Sequence, residues 1–231
     1  MKWTLTVFLT CCFFWANAQE ITGIIKNHEK SEMDLVLMLF GMDNPISIGT
    51  VDKKGQFTAN LENASLDNIP EENLSMSIGE LYFNFFFNCA DNEAFGDNYD
   101  KPAARQDYVR LTNKGEWAGT AFLVSDESLI PWLEDSGYNN AIKGSFYEVL
   151  YVKEDIAVNM VCNNSVYATE EDQVETEYTF NLQLKKGFNW VKYTIGEVYE
   201  TDPAIRASFP SKVTISNLED PSKMRWIGRY Y

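Results

Sequence analysis

Carboxylates are the reactive groups this chain holds in quantity: 34 Asp and Glu against 19 Lys and Arg, with a single histidine. Two carboxyl groups flanking a glycosidic bond can hydrolyse it, one as acid and the other as base or nucleophile. Glu80, Glu116 and Glu148 fall in or beside expected strands. Glu148 alternates with Phe146 and Leu150, which predicts an inward side chain. A buried carboxyl is pushed up in pKa unless a cation pairs with it, and Arg105 and Arg110 are candidate partners. Glu148 is therefore the one candidate catalytic residue, against a plain structural ion pair. His28 sits in Asn27-His28-Glu29-Lys30, between two expected strands. A Ser–His or Cys–His nucleophile pair would have to use it, and a solvated turn histidine is the expectation. The chain has no Gly-x-Ser-x-Gly elbow, no Ser-x-x-Lys, no Walker loop and no dinucleotide fingerprint. One His with so few cysteines falls short of ordinary zinc ligand sets.

Binding chemistry has three candidates. Asp91, Glu93, Asp97 and Asp100, with Asn92 and Asn98 between them, crowd one acidic stretch. Calcium takes six to eight oxygens from such a loop; the expectation is no cofactor and a solvated loop, with calcium as the weaker candidate. Phe95 stands at a ligand position and spoils the EF-hand pattern. A second acidic run, Glu170-Glu171-Asp172 with Glu175 and Glu177, fits a solvated loop. Aromatic faces stack on sugars and anchor protein partners. Trp190 and Trp226 lie in expected strands and belong to the core. Trp117 follows the turn Lys114-Gly115-Glu116, and Trp132 stands beside Pro131 with Tyr138 nearby. Trp117, Trp132 and Tyr138 are thus the expected ligand platform.

The first eighteen residues read as an export signal. Lys2 gives a basic start, Leu5 to Trp15 an apolar stretch and Ala16-Asn17-Ala18 a small-x-small cleavage site. A lipid anchor on Cys11 or Cys12 is the rival reading, and the residues before them suit it poorly. Periplasmic, cell-surface or secreted placement follows. No later apolar run nears the roughly 20 residues of a membrane-spanning helix. Cleavage leaves Cys89 and Cys162. In an oxidising compartment they permit one disulfide, and two separate buried thiols remain the alternative. A formal charge of −15 excludes phosphate backbones as natural partners. The 45% apolar and 14% aromatic content excludes disorder.

The elements that must position these groups alternate with period two. Ile21–Lys26, Met33–Phe40, Ile46–Val51 and Gln56–Leu61 read as strands, with a turn at Asp52-Lys53-Lys54-Gly55. Leu81–Cys89 reads as a strand with Leu81, Phe83, Phe85, Phe87 and Cys89 on one face. Ser145–Val152 and Ile156–Cys162 read as a hairpin turning at Lys153-Glu154-Asp155, and Tyr178–Leu184 with Trp190–Ile195 as another turning at Lys186-Gly187. Lys212–Ser216 and Met224–Tyr230 complete the set. Short helical turns are expected after Asn68, after Ser125 (interrupted by Pro131) and at Pro203, and Ala90–Asp107 reads as irregular. Many strands with few helices predict an all-β, antiparallel β-sandwich with a few short helical turns in loops.

The run Ile21-Thr22-Gly23, then Asp34-Leu35-Val36-Leu37, then Pro45 through Phe57 resembles the opening strands of carboxypeptidase regulatory-like (transthyretin-like) β-sandwich domains. The resemblance covers residues 20–62 and implies an accessory or structural role with no catalytic residues. Later segments, including Leu184–Trp190 and the terminal Trp226–Tyr231, resemble parts of uncharacterised exported bacterial proteins. The expectation is a single mature domain over residues 19–231, with 20–62 as an optional subdomain. Its expected role is a non-catalytic binding or accessory module for a glycan or protein. A structural adhesion component is the alternative, and a carboxylate-dependent glycan hydrolase the further one.

Overall fold

The structure is a computed structural model. It describes residues 20–231 apart from residues 30, 40–41, 43, 63, 67–68, 169–171, 203, 219 and 221–222. The expected export signal, Cys11, Cys12, Pro203 and the Glu170-Glu171 pair lie outside the described residues. Strand outweighs helix by about 54% to 11%, so the class is all-β. No helix among the described residues is long and apolar enough to cross a membrane.

The N-terminal strands are β1 (Glu20–Lys26), β2 (Met33–Leu37), β3 (Ile46–Val51) and β4 (Gln56–Asn60). Helix α1 (Glu71–Leu74) follows Pro70 at the position where proline suits a helix start. Next come β5 (Gly79–Glu80), β6 (Pro102–Gln106), β7 (Val109–Asn113) and β8 (Glu116–Val124). After helix α2 (Ile130–Glu134) the long strands β9 (Gly144–Val152), β10 (Ile156–Tyr167), β11 (Gln173–Leu184) and β12 (Gly187–Tyr199) lead to β13 (Phe209–Asn217) and β14 (Arg225–Tyr230).

Seven of these strands close on themselves. β8 pairs with β14, β14 with β1 in parallel, and then β1–β4–β3–β2–β7 run antiparallel until β7 returns to β8. The inner face buries Ile21, Ile25, Leu35, Ile48, Phe57, Leu111 and Trp226 in one core. β9 continues the network past β8 into an open sheet ordered β9–β12–β13–β11–β10. β9 is apolar on both faces, as its sequence predicts. Phe146, Leu150 and Val152 enter a second core, while Tyr147, Val149 and Tyr151 enter the first.

Neither expected hairpin forms. β9 pairs with β12 and β10 with β11, although turns of three and two residues join β9 to β10 and β11 to β12. A β9–β10 hairpin would leave the row Ile156, Val158 and Cys162 without an opposing layer. Folding over instead seats that row with Phe146, Leu150 and Tyr193 in the second core. β13 then inserts between β11 (parallel) and β12 (antiparallel). Asn217 closes this fork: its Oδ1 accepts from Gln183 N at 2.7 Å and its Nδ2 donates to Gln183 O at 3.0 Å. Asp155 ties the two turns together by accepting from Lys186 N at 2.9 Å and pairing with Lys185 at 2.8 Å.

The segment expected as strand Leu81–Cys89 begins as a 3-10 turn over Leu81–Asn84 and then bends. Phe83 is therefore thrown outward at 63% exposure, while Leu81, Phe85, Phe87 and Cys89 stay buried. Another 3-10 stretch, Asn92–Asn98, follows, so part of the expected irregular segment is helical and its end is β6. Pro131 does not interrupt the next helix but opens α2, directly after the 3-10 turn Glu127–Leu129. Residues 81–98 form a roof over the open sheet, fastened by a Cys89–Cys162 disulfide and by the Asn164 side chain, which bonds Ala90 N and Asn88 O.

Candidate functional site

Two places gather chemistry. The first lies under the roof. The register of β9 points Glu148 into the second core between Phe146 and Leu150, at 3% exposure. β6 pairs with the far half of β9 and brings Arg105 opposite Leu150. Arg105 Nε lies 2.6 Å from Asp107 Oδ1 and 3.7 Å from Glu148 Oε2. Its Nη1 donates to Phe85 O at 3.1 Å and its backbone N to Asn84 Oδ1 at 3.0 Å. The Tyr193 hydroxyl bonds Glu148 and accepts from Phe86 N at 3.3 Å. This polar island joins the roof to the sheet beneath it.

Burial pushes the Glu148 carboxyl up to about 8, more than the Arg105 charge offsets. Burial, and then the Glu148 carboxylate, push the Tyr193 phenol well above its ordinary value. At neutral pH Glu148 thus holds its proton, with Asp107 on the other side of the Arg105 Nε. Both groups contact one nitrogen, so their oxygens lie within about 6 Å, a separation at which paired carboxyls can work on glycosides. The space before them is small. Glu148 and Asp107 line a cavity of about 50 Å³ with Phe86, Tyr108, Phe122 and Phe146. That volume holds a water or two. A water there would satisfy Glu148 Oε2, which has the Arg105 charge at 3.7 Å but no hydrogen-bond partner among the described residues. A sugar ring does not fit. The inward direction expected for Glu148 holds, and its nearest cation is Arg105 rather than Arg110.

The second place is at the surface. β7 and β8 form a two-residue hairpin at Lys114-Gly115, both with positive φ (54° and 85°), the geometry of a type I′ turn. A register shift between Leu111 and Thr112 follows. Trp117 comes out of this turn 49% exposed. Its indole N–H donates to Gly119 O at 2.7 Å, which fixes the ring. The Arg110 guanidinium lies 4.6 Å from that ring's centre, and Tyr231 meets it edge-on at 5.3 Å. Tyr231 is held by its N–H to Ala118 O at 3.1 Å and by its hydroxyl, 3.3 Å from Thr120 Oγ1.

The expected platform of Trp117, Trp132 and Tyr138 is not assembled. Trp132 is 3% exposed and packs on Phe86, Phe87 and Phe146, because α2 turns its apolar side into the second core. Tyr138 is exposed, and no ring contact among the described residues joins it to either tryptophan. Tyr231 and Arg110 take their places. Tyr231 shares a face with Arg229, two residues before it, and Arg229 is directly paired to Thr120. That neighbourhood shows only once β14 is placed beside β8.

The acidic stretch does not converge. Asp91 Oδ1 accepts from Glu93 N at 2.9 Å and so caps the 3-10 stretch, while Glu93, Asp97 and Asp100 point to solvent. No group of three or more His, Cys, Asp or Glu side chains among the described residues is placed to share a metal. Glu80 ends β5 and Glu116 opens β8, both in or near solvent. His28 is half-buried rather than solvated. Its Nε2 lies 2.6 Å from Ser31 O and its Nδ1 2.8 Å from the Tyr230 hydroxyl. A carbonyl only accepts, so Nε2 donates to Ser31 O. His28 fastens the β1–β2 turn to β14.

No protein-family profile matches this chain, and neither does any curated protein or solved structure.

Proposed function

We propose that the chain is an exported, non-catalytic binding module whose ligand docks on Trp117 and Tyr231. The observation that carries this reading is an exposed tryptophan whose ring is already fixed by its own N–H bond, flanked by an exposed tyrosine and a stacked arginine. Trp, Tyr and Arg are the side chains that most often dominate binding energy. A pre-fixed ring loses little entropy when a ligand arrives. The enclosure of Glu148 supports a role without turnover, since the cavity of about 50 Å³ before it admits no substrate ring. The cleavage site after Ala18 supports export, and the resemblance of residues 20–62 to accessory domains supports a non-enzymatic part.

The test is a thermal-shift screen of residues 19–231 against neutral and charged oligosaccharides and peptides, repeated with Trp117→Ala. A ligand at 100 times its Kd stabilises by about 2.7 kcal/mol, a rise of roughly 5–10 °C at this size. The expected result is a saturable shift that Trp117→Ala abolishes while leaving the unliganded melting temperature within a degree or two. A shift that survives Trp117→Ala, or hydrolysis of any oligosaccharide that Glu148→Gln abolishes, overturns the proposal.

A further inference from the structure

We infer that the Trp117 platform takes an anionic saccharide, a sugar ring carrying a carboxylate. The inference rests on the binding reading above and names its ligand class. Thr120 is the centre of the site. On β7 its direct partner is Arg110, and on β14 its direct partner is Arg229. Directly paired residues share a face of the sheet, so the two arginines flank Thr120 on the face that also carries Tyr231. Neighbouring strands lie about 4.8 Å apart, which puts the arginine backbones roughly 10 Å from each other with the aromatic pair alongside. In a chain of net charge −15 with 34 acids, two arginines stand beside an exposed Trp–Tyr pair, and among the described residues only Arg229 of the two has a carboxylate facing it, Glu134.

Each part has a chemical use. The indole and phenol faces suit the C–H face of a pyranose. A guanidinium is a planar fork that matches a carboxylate. Arg110 stacks on Trp117 at 4.6 Å, and its Nε is buried with no partner among the described residues. Arg229 is held loosely, with its Nε 3.8 Å from Glu134 Oε1, so a ligand carboxylate can compete for it. The two rings stand at 71° to each other, so a sugar lying on one of them with its rim against the other presents its substituents to this pair. The acidic remainder of the surface repels a ligand only within a Debye length of about 8 Å at physiological salt, which favours a short saccharide over a long polyanion.

The experiment follows Trp117 fluorescence on titration with a short oligogalacturonate, with its methyl ester and with a carboxylate-terminated peptide of similar length. Trp117→Phe identifies the reporting ring. The free acid is expected to quench saturably, and the methyl ester to bind at least ten-fold more weakly, the worth of one charge-assisted hydrogen bond. Arg110→Gln and, separately, Arg229→Gln are expected to erase that difference while keeping weak binding of the ester. Arg229 is a surface side chain, so its variant reports on binding even if Arg110→Gln perturbs the β7–β8 pair. Equal binding of acid and ester at Trp117 overturns the anionic assignment and leaves the binding module standing. Peptide binding as tight as the saccharide overturns it as well. Absence of any Trp117-dependent binding overturns both.

Discussion

The closed circuit of β1–β4, β7, β8 and β14 and the open sheet of β9–β13 bury their cores by opposite means. In the circuit every strand has a neighbour on each side, the shortest contact being the two-residue parallel pairing of β1 with β14, so little backbone edge is left to cover. The open sheet ends at β10, whose one strand neighbour among the described residues is β11. Its core is completed by chain that is not strand: the roof over residues 81–98 and α2. Such chain has few backbone bonds of its own, so side chains and covalent chemistry must hold it down. The disulfide, Asn164, Asn98 bonded to Ala157 O, and the Arg105–Glu148–Tyr193 island are all fastenings of this kind. Side-chain and covalent fastenings thus gather where strand pairing stops, and the outward-facing Trp117 platform grows from the circuit.

This difference can be broken most severely at the disulfide. Cys89 and Cys162 are 73 residues apart in sequence. Replacing both with serine frees a loop of that length in the unfolded chain and is expected to cost about 4 kcal/mol, lowering the melting temperature by roughly 8–16 °C. Hydrogen exchange should quicken in residues 81–98 and in β10, and stay slow in β1–β4. Uniform loss of protection would mean that the two regions unfold as one unit.

The matching break in the circuit is Gly49→Ala. Gly49 sits opposite Ala59, where β3 meets β4. A Cβ there would come 1.8 Å from the Thr58 carbonyl oxygen. No side chain can swing away, so β3 and β4 must part, at about 3 kcal/mol. Gly196→Ala, whose Cβ would stand 3.7 Å from its nearest neighbour, serves as the neutral control. Exchange should now quicken in β2–β4 while residues 81–98 stay protected, the reverse of the cysteine variant.

The same contrast explains what the amino-acid sequence discloses. Of the circuit's strands β4 alternates cleanly, with Phe57 and Ala59 on its buried face, and the expected spans of β1, β3 and β4 match within a residue or so. Glu148 was legible for the same reason, standing between Phe146 and Leu150. Pairing was not legible. A turn of two or three residues serves a hairpin or a fold-over equally well, and β13, which separates β11 from β12, lies far along the chain. β8 hides because Ala118, Gly119 and Ala121 give it little strand propensity. Gly119 is required there, since a Cβ would come 2.4 Å from Arg229 O. The Phe-rich run after Leu81 imitates a strand, yet its aromatic rings serve a roof.

The smallest effect separates the regions by proton rather than by contact. Glu148 has an ordinary value of 4.5 and a folded value of about 8. Between those values the folded chain keeps a proton that the unfolded chain releases. Stability must therefore fall as pH rises through that window and level off above it. Other carboxylates act elsewhere. Asp126 is lowered first by its bond from Ser128 N and Asp155 first by Lys185, both from 3.8, so their contributions are present above that value and are lost only in stronger acid. The difference between wild type and Glu148→Gln isolates the island. An amide is close in shape to the protonated acid, so the two proteins should be nearly equal at pH 5. By pH 9 the variant should be the more stable by about 2 kcal/mol, less than the full linkage because the site relaxes around the charge. Urea melts at both pH values measure this, and exchange places it. The wild-type loss should appear in residues 81–98, where Phe86 N bonds Tyr193 and Arg105 holds Phe85 O, with β1–β4 unchanged. Parallel pH curves for the two proteins would mean that Glu148 is ionised at neutral pH, and Arg105 would then be a full ion-pair partner and not a partial one.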